Sequence, residues 1–151
     1  MGEVMTVLFQ RLVDMIEKSA EELAKKCMEE MSKHPGMATY RSCDQEVLHR
    51  RIFRVYGRLG QWLSRDTGVE DIAGWFTTVG KKRFQEGYAL SEVIQALVIL
   101  KRELWKKVLK DGLIDNALDL FVTLKLNNDV VLFFDHAFYN VALGYEQEAT
   151  K

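Results

Sequence analysis

An all-α fold, with five or six helices packed around a buried carboxy-terminal helix, is predicted by three features of this sequence. Apolar residues recur at three- and four-residue spacing through almost the whole chain, and no stretch alternates with the period of two that a half-buried strand requires. Helix-stopping residues separate the periodic stretches, at His34, Pro35 and Gly36, from Arg65 to Gly68, and at Gly87. Third, the stretch from Asn127 to Glu146 is apolar around nearly its whole circumference. Val130, Phe134, Ala137 and Val141 form one stripe, Val131, Phe138 and Ala142 a second, and Leu132, Tyr139 and Leu143 a third. A helix of this kind belongs at the centre of a bundle or in a subunit interface. Asp135, His136 and Asn140 interrupt a run already shorter than the ~20 residues a bilayer span needs, so no membrane span is expected.

The elements follow in order. Met5, Leu8, Leu12, Met15, Leu23, Cys27 and Met31 predict one long amphipathic helix from about Val4 to Ser32. Ser42 or Asp44 caps a second, whose inward series is Val47, Leu48, Ile52, Phe53, Tyr56, Leu59 and Leu63. A third, from about Val69 to Gln85, turns Ile72, Phe76, Val79 and Phe84 to one side and ends at Gly87. Ser91 is the expected cap of a fourth, which buries Val93, Ile94, Leu97, Val98, Leu104, Trp105 and Val108 and stops at Gly112. Asp115 or Asn116 opens the last segment, with Asn127 and Asn128 the place for a bend.

At 151 residues the chain is long enough to bury a core without metal or disulfide staples, and one domain, 1–151, is expected. A 28% share of charged residues with a net charge of −1 argues against general electrostatic capture of nucleic acid or anionic lipid. Two cysteines are too few for a secreted disulfide framework, and MGEVMTVLFQ lacks the order of a signal peptide, so the cytoplasm is the expected home.

Gly87 to Val108, GYALSEVIQALVILKRELWKKV, and Leu126 to Glu146, LNNDVVLFFDHAFYNVALGYE, together resemble the amino-terminal sensor domain of RsbT co-antagonist proteins of the RsbRD type. The remainder of the chain is similar in helix layout only. The resemblance implies an all-helical bacterial input module that senses a signal or mediates assembly ahead of an output such as a STAS domain, a kinase or a DNA-binding regulator. It offers no catalytic residues to carry over. The few residues after Glu146 lead to the expectation of a stand-alone member or an excised input domain.

Several constellations point to chemistry, each beside a plainer reading. Asp135 and His136, with Tyr139 and Asn140 one turn on, belong either to a ligand pocket or pH-responsive network or to a satisfied structural network or dimer contact. The expected pocket lies between the fourth helix and the last, near Trp105, Phe134, Asp135 and Tyr139. Arg50, Arg54 and Arg58 recur every four residues, extended by Arg65, and make either an anion or partner contact or a solvated face answering Glu17, Glu21 or Glu22. Cys27 reads as a core residue, whereas Cys43, near a helix start, admits a redox role. Gly57, Gly60, Gly74 and Gly80 fall inside helices, where close packing or a ligand's approach justifies them.

No metal site is expected, because His136 has no histidine or carboxylate four residues away. The sequence thus reads as a non-enzymatic sensory or regulatory domain without a cofactor. It acts through a homodimer or an unidentified signalling protein, with a small apolar or amphipathic ligand among its helices. The alternative is a globin-type haem protein using His136 or His49 as axial ligand. Asp135 and His136 diverge by roughly 100° around a helix, which counts against an enzyme built on that pair.

Overall fold

Side-chain caps set some helix boundaries and backbone turns the others among the described residues, 2–111 and 115–151 of this computed structural model. Among them the fold is all-α, with seven helices packed against one another. The expected first helix is divided into α1 (Gly2–Lys18) and α2 (Ala20–Lys33). At Ser19 the backbone N–H is shared between the carbonyls of Met15 and Ile16, so the helical ladder tightens for one residue and then resumes. Ser19 is half-buried, and its neighbour Ala20 takes the inward position. The buried series is therefore Val13, Ile16, Ala20, Leu23, Ala24, Cys27 and Met31, while Leu12 and Met15 are only half-buried.

A short α3 (Ala38–Ser42), unforeseen from the sequence, is held from outside: Glu92 accepts from the Thr39 backbone at 2.9 Å and from its hydroxyl at 2.8 Å. Asp44, not Ser42, caps α4 (Gln45–Leu63), its carboxylate accepting from Glu46 and Val47. Leu48, Ile52, Val55, Tyr56, Leu59, Trp62 and Leu63 form the buried face. Phe53 is 46% exposed, contrary to expectation, because it lies one residue round the helix from Ile52. Beyond α4, Arg65 adopts a left-handed φ of 63°, and the N–H groups of Arg65 and Asp66 close a Schellman motif on Trp62 and Gln61.

α5 spans Val69–Gln85, as expected, and Gly87 ends it at φ 87°. The N–H groups of Gly87 and Tyr88 bond the carbonyls of Phe84 and Arg83. Phe84 does not point into the core; it is 40% exposed, edge-on to Tyr145. The same motif buries Tyr88 and sets the start of α6 (Leu90–Asp111), whose first two turn bonds are accepted by Ala89. Ser91, the expected cap, is instead an exposed residue of the first turn. Its expected stop, Gly112, lies outside the described residues. α7 (Ala117–Ala149) is capped by the Asn116 side chain, which accepts from Asp119 N, and continues unbroken through Asn127 and Asn128.

α7 holds the centre of the bundle on one face only. Leu126, Val130, Phe133, Phe134, Ala137 and Val141 are fully buried, whereas Phe121, Leu124, Leu132 and Tyr139 stay on the surface. The all-round burial expected for this helix is corrected accordingly: α1, α4, α5 and α6 cover the first two stripes and leave the third uncovered. The closest approach in the fold is between α5 and α7, which run in the same direction. A Cβ added at Gly80 would sit 2.3 Å from the Val141 carbonyl oxygen, and one at Gly144 would sit 2.3 Å from that of Thr77. Gly57 and Gly74, by contrast, face open space.

These two environments predict opposite signs for one chemical change. Gly80→Ala or Gly144→Ala forces backbone against backbone and is expected to cost about 2–3 kcal/mol, the upper part of the overpacking range, despite alanine's better helix propensity. Gly74→Ala is expected to gain up to ~1 kcal/mol. Urea denaturation of the three variants reads the difference directly.

Candidate functional site

Drawing α5 against α7 has a consequence on the opposite side of α5, which makes no comparably close approach to α4 or α6. A cavity of about 290 Å³ opens there. Leu48, Ile52 and Val55 of α4, Phe76 and Val79 of α5, and Val93, Ala96, Leu97 and Leu100 of α6 form its walls. Met31, Tyr40 and Val141 close it from α2, α3 and α7. The inward-facing period of each helix supplies these residues, and Ala96 leaves room where a larger residue would fill the gap.

The rim of this cavity is cationic. Arg51 and Arg54 reach it from α4, Lys82 and Arg83 from α5. Glu86 joins two of them, at 2.6 Å to Arg51 and 2.5 Å to Arg83. Partial burial pushes the Glu86 carboxyl upward, but these two guanidiniums outweigh it and hold the group below the usual carboxylate range. Arg54 and Lys82 have no carboxylate partner among the described residues. Trp75, also in the lining, is steadied from both sides: Arg58 lies over its ring at 5.2 Å and Phe76 meets it edge-on at 4.8 Å.

The expected arginine stripe is thereby divided. Arg54 stands at the cavity, Arg58 packs on Trp75, and Arg50 is exposed to solvent. The acids of the first helix do not answer them, for Glu21 pairs with Lys25 and Glu22 with Lys107. Arg65 bonds Asp129 of α7 at 3.1 Å, beside the Trp62 indole N–H donated to the Asp129 carbonyl at 2.9 Å.

The pocket expected near Trp105, Phe134, Asp135 and Tyr139 is not where those residues come together. Phe134 is fully buried core, Trp105 is half-buried, and Asp135 and Tyr139 face solvent, Tyr139 at 68% exposure. An exposed carboxylate needs no buried partner, so the polar network foreseen around Asp135 is reduced to its neighbours. His136 packs edge-on to Trp62, and Asn140 donates to the His136 carbonyl and meets the Thr77 hydroxyl. None of the residues lining the cavity is a histidine. His49 and His136 are therefore not placed to ligate a haem within it, and no three His, Cys, Asp or Glu side chains gather as a metal site among the described residues.

The cysteines differ in kind. Tyr56 donates its hydroxyl to the Leu100 carbonyl at 2.8 Å, so the buried Cys27 thiol must donate to the Tyr56 oxygen, 3.2 Å away. Burial pushes the Cys27 thiol from its ordinary 9.0 up to about 12, which leaves it protonated and inert at neutral pH. Half-buried Cys43 donates to the Tyr40 carbonyl just ahead of the Asp44 cap, and both cysteines are free.

Sequence reasoning missed Arg51, Val55, Lys82, Ala96 and Leu100 as cavity residues. One signal was present: Arg51 stands three residues after Leu48 and four before Val55, where a long cationic side chain lays its stem on the apolar stripe and keeps its head in water. No helix of the described residues is long and apolar enough to cross a membrane. No family model, curated protein or solved structure matches this chain.

Alkaline stability follows from the buried donors. Burial lifts Tyr88 and Tyr145 from 10.0 to about 12, as it lifts Cys27. Each group is more acidic in the unfolded chain, so its stabilising share is complete below pH 9 and is lost as pH rises towards 12. The urea midpoint is expected to be lower at pH 10.5 than at pH 8. An unchanged midpoint would contradict the buried, protonated state of these groups.

Proposed function

We propose that this chain is a non-enzymatic regulatory domain, in which a small ligand enters the cavity between α4, α5 and α6 and contact with another protein passes the signal on. The observation that carries the reading is the cavity itself, about 290 Å³ lined by apolar walls and a cationic rim, beside the tightest helix contact in the fold. Its walls are aliphatic and aromatic. The groups at its rim are guanidinium and ammonium ions, which at neutral pH bind anions rather than transfer protons.

A ligand acts by preferring one of two helix arrangements, since only differential affinity shifts such an equilibrium. α5 is the helix both sides touch: its one flank lines the cavity and its other is locked to α7. The outer stripe of α7, with Phe121, Leu124, Leu132 and Tyr139 exposed, supports a second copy or a signalling partner as the surface that reads the change. The resemblance of Gly87 to Val108 and Leu126 to Glu146 to the RsbRD-type sensor domain supports a bacterial input module in the cytoplasm; the first stretch covers the turn before α6 and most of that helix, and the second lies within α7.

Native mass spectrometry of the protein as purified tests this reading, with Ala96→Phe as the cavity-filling comparison. A stoichiometric small-molecule adduct on the wild type, absent from a normally folded Ala96→Phe protein, is expected. An adduct-free wild type whose melting temperature is unmoved by eight-carbon alcohols and carboxylates alike would sink the ligand reading.

A further inference from the structure

The charge at the rim narrows the ligand to a chemical class. Four cations, Arg51, Arg54, Lys82 and Arg83, converge on an opening whose interior is hydrocarbon, against the single carboxylate of Glu86. Glu86 is committed to Arg51 and Arg83, which leaves Arg54 and Lys82 with no carboxylate partner among the described residues. Tyr40 adds a polar group within the lining. Burial raises its hydroxyl well above the ordinary phenol range, only partly opposed by the charge of Arg83, so it enters as a neutral donor.

From this juxtaposition we infer that the cavity takes a single-chain amphiphile bearing a carboxylate, with its hydrocarbon chain along Val55, Trp75 and Val79 and its head between Arg54 and Lys82. The inference rests on the ligand reading above and specifies it. Volume leaves room for an alkyl chain: about 290 Å³ is roughly twice the ~150 Å³ of an apolar cavity that holds one benzene.

Isothermal titration calorimetry with octanoate and 1-octanol separates the head from the chain. The wild-type protein is expected to bind one octanoate per chain, at least ~10-fold more tightly than octanol, the scale of a charge-assisted hydrogen bond. Raising the salt concentration should weaken octanoate alone. Arg54→Ala with Lys82→Ala should erase the preference and leave octanol unchanged; both positions are exposed, so folding is preserved and circular dichroism verifies it. Ala96→Phe should lose both ligands.

Equal affinity of the wild type for the two ligands, or a preference that survives the double substitution, overturns the carboxylate assignment while leaving the cavity reading intact. Binding of octanoate to Ala96→Phe at wild-type strength places the ligand elsewhere and overturns it too. Failure of both ligands to bind the wild type removes the cavity reading itself.

Discussion

The contact between Gly80 of α5 and Gly144 of α7 is the constraint on which the rest of this fold depends. The Gly80 Cα lies only 3.1 Å from where a Gly144 Cβ would be, and carbonyl oxygens of each helix fill the space a side chain would take on the other. Helix axes packed through ordinary side chains stand 8–10 Å apart; two glycines in register remove the spacer. Neighbouring bonds lock the same register: Thr77 to Asn140, Gln85 to Glu148, and Tyr145 through its hydroxyl to the Tyr88 carbonyl. The last of these ties the end of α7 to the loop that starts α6, so three helices are referenced to one contact.

Because α5 leans towards α7, the space behind it is left to side chains too small to fill it. α4 and α6 cannot follow α5 inward, being held by their own contacts with α2. Tyr56 of α4 reaches the Leu100 carbonyl of α6 and takes the Cys27 thiol of α2, three helices joined in one buried chain of donors. On the outer side of α2, Lys107 of α6 stands between Glu22 and Asp111, and the nearly buried Glu103 is answered by Lys106. The cavity is thus a product of two incompatible spacings, one set by glycine and one set by tyrosine and leucine.

Charge is distributed by the same logic. Most exposed pairs are short-range helix pairs such as Lys25 with Glu21 and Lys33 with Glu29, worth a few tenths of a kcal/mol each. The cavity rim differs because cations from two helices converge there and one acid answers them. The arginines at 50, 54 and 58 look equivalent in sequence. They become a solvent-exposed side chain, a rim cation and a support for Trp75 because the surroundings of α4 change along its length.

Periodicity, punctuation and capping residues by themselves determined the helical class and most of the helix boundaries, though not the division at Ser19 or the short α3. The class, the bounds of α5, the Asn116 cap and the stop at Gly87 are local matters, written in side-chain spacing and in the backbone freedom of single residues. Which apolar residue faces inward was less legible, and Phe53 and Phe84 show why: adjacent apolar residues differ by roughly 100° around the axis, and only a neighbouring helix chooses between them. The cavity was less legible still. Its lining joins residues 31 to 141 from six helices, and its existence depends on an interhelical distance that no local pattern encodes. Gly80 was visible as a helical glycine and Gly144 was not singled out. Only the tertiary structure showed them to be partners, because close backbone approach is a property of two helices in register and never of one.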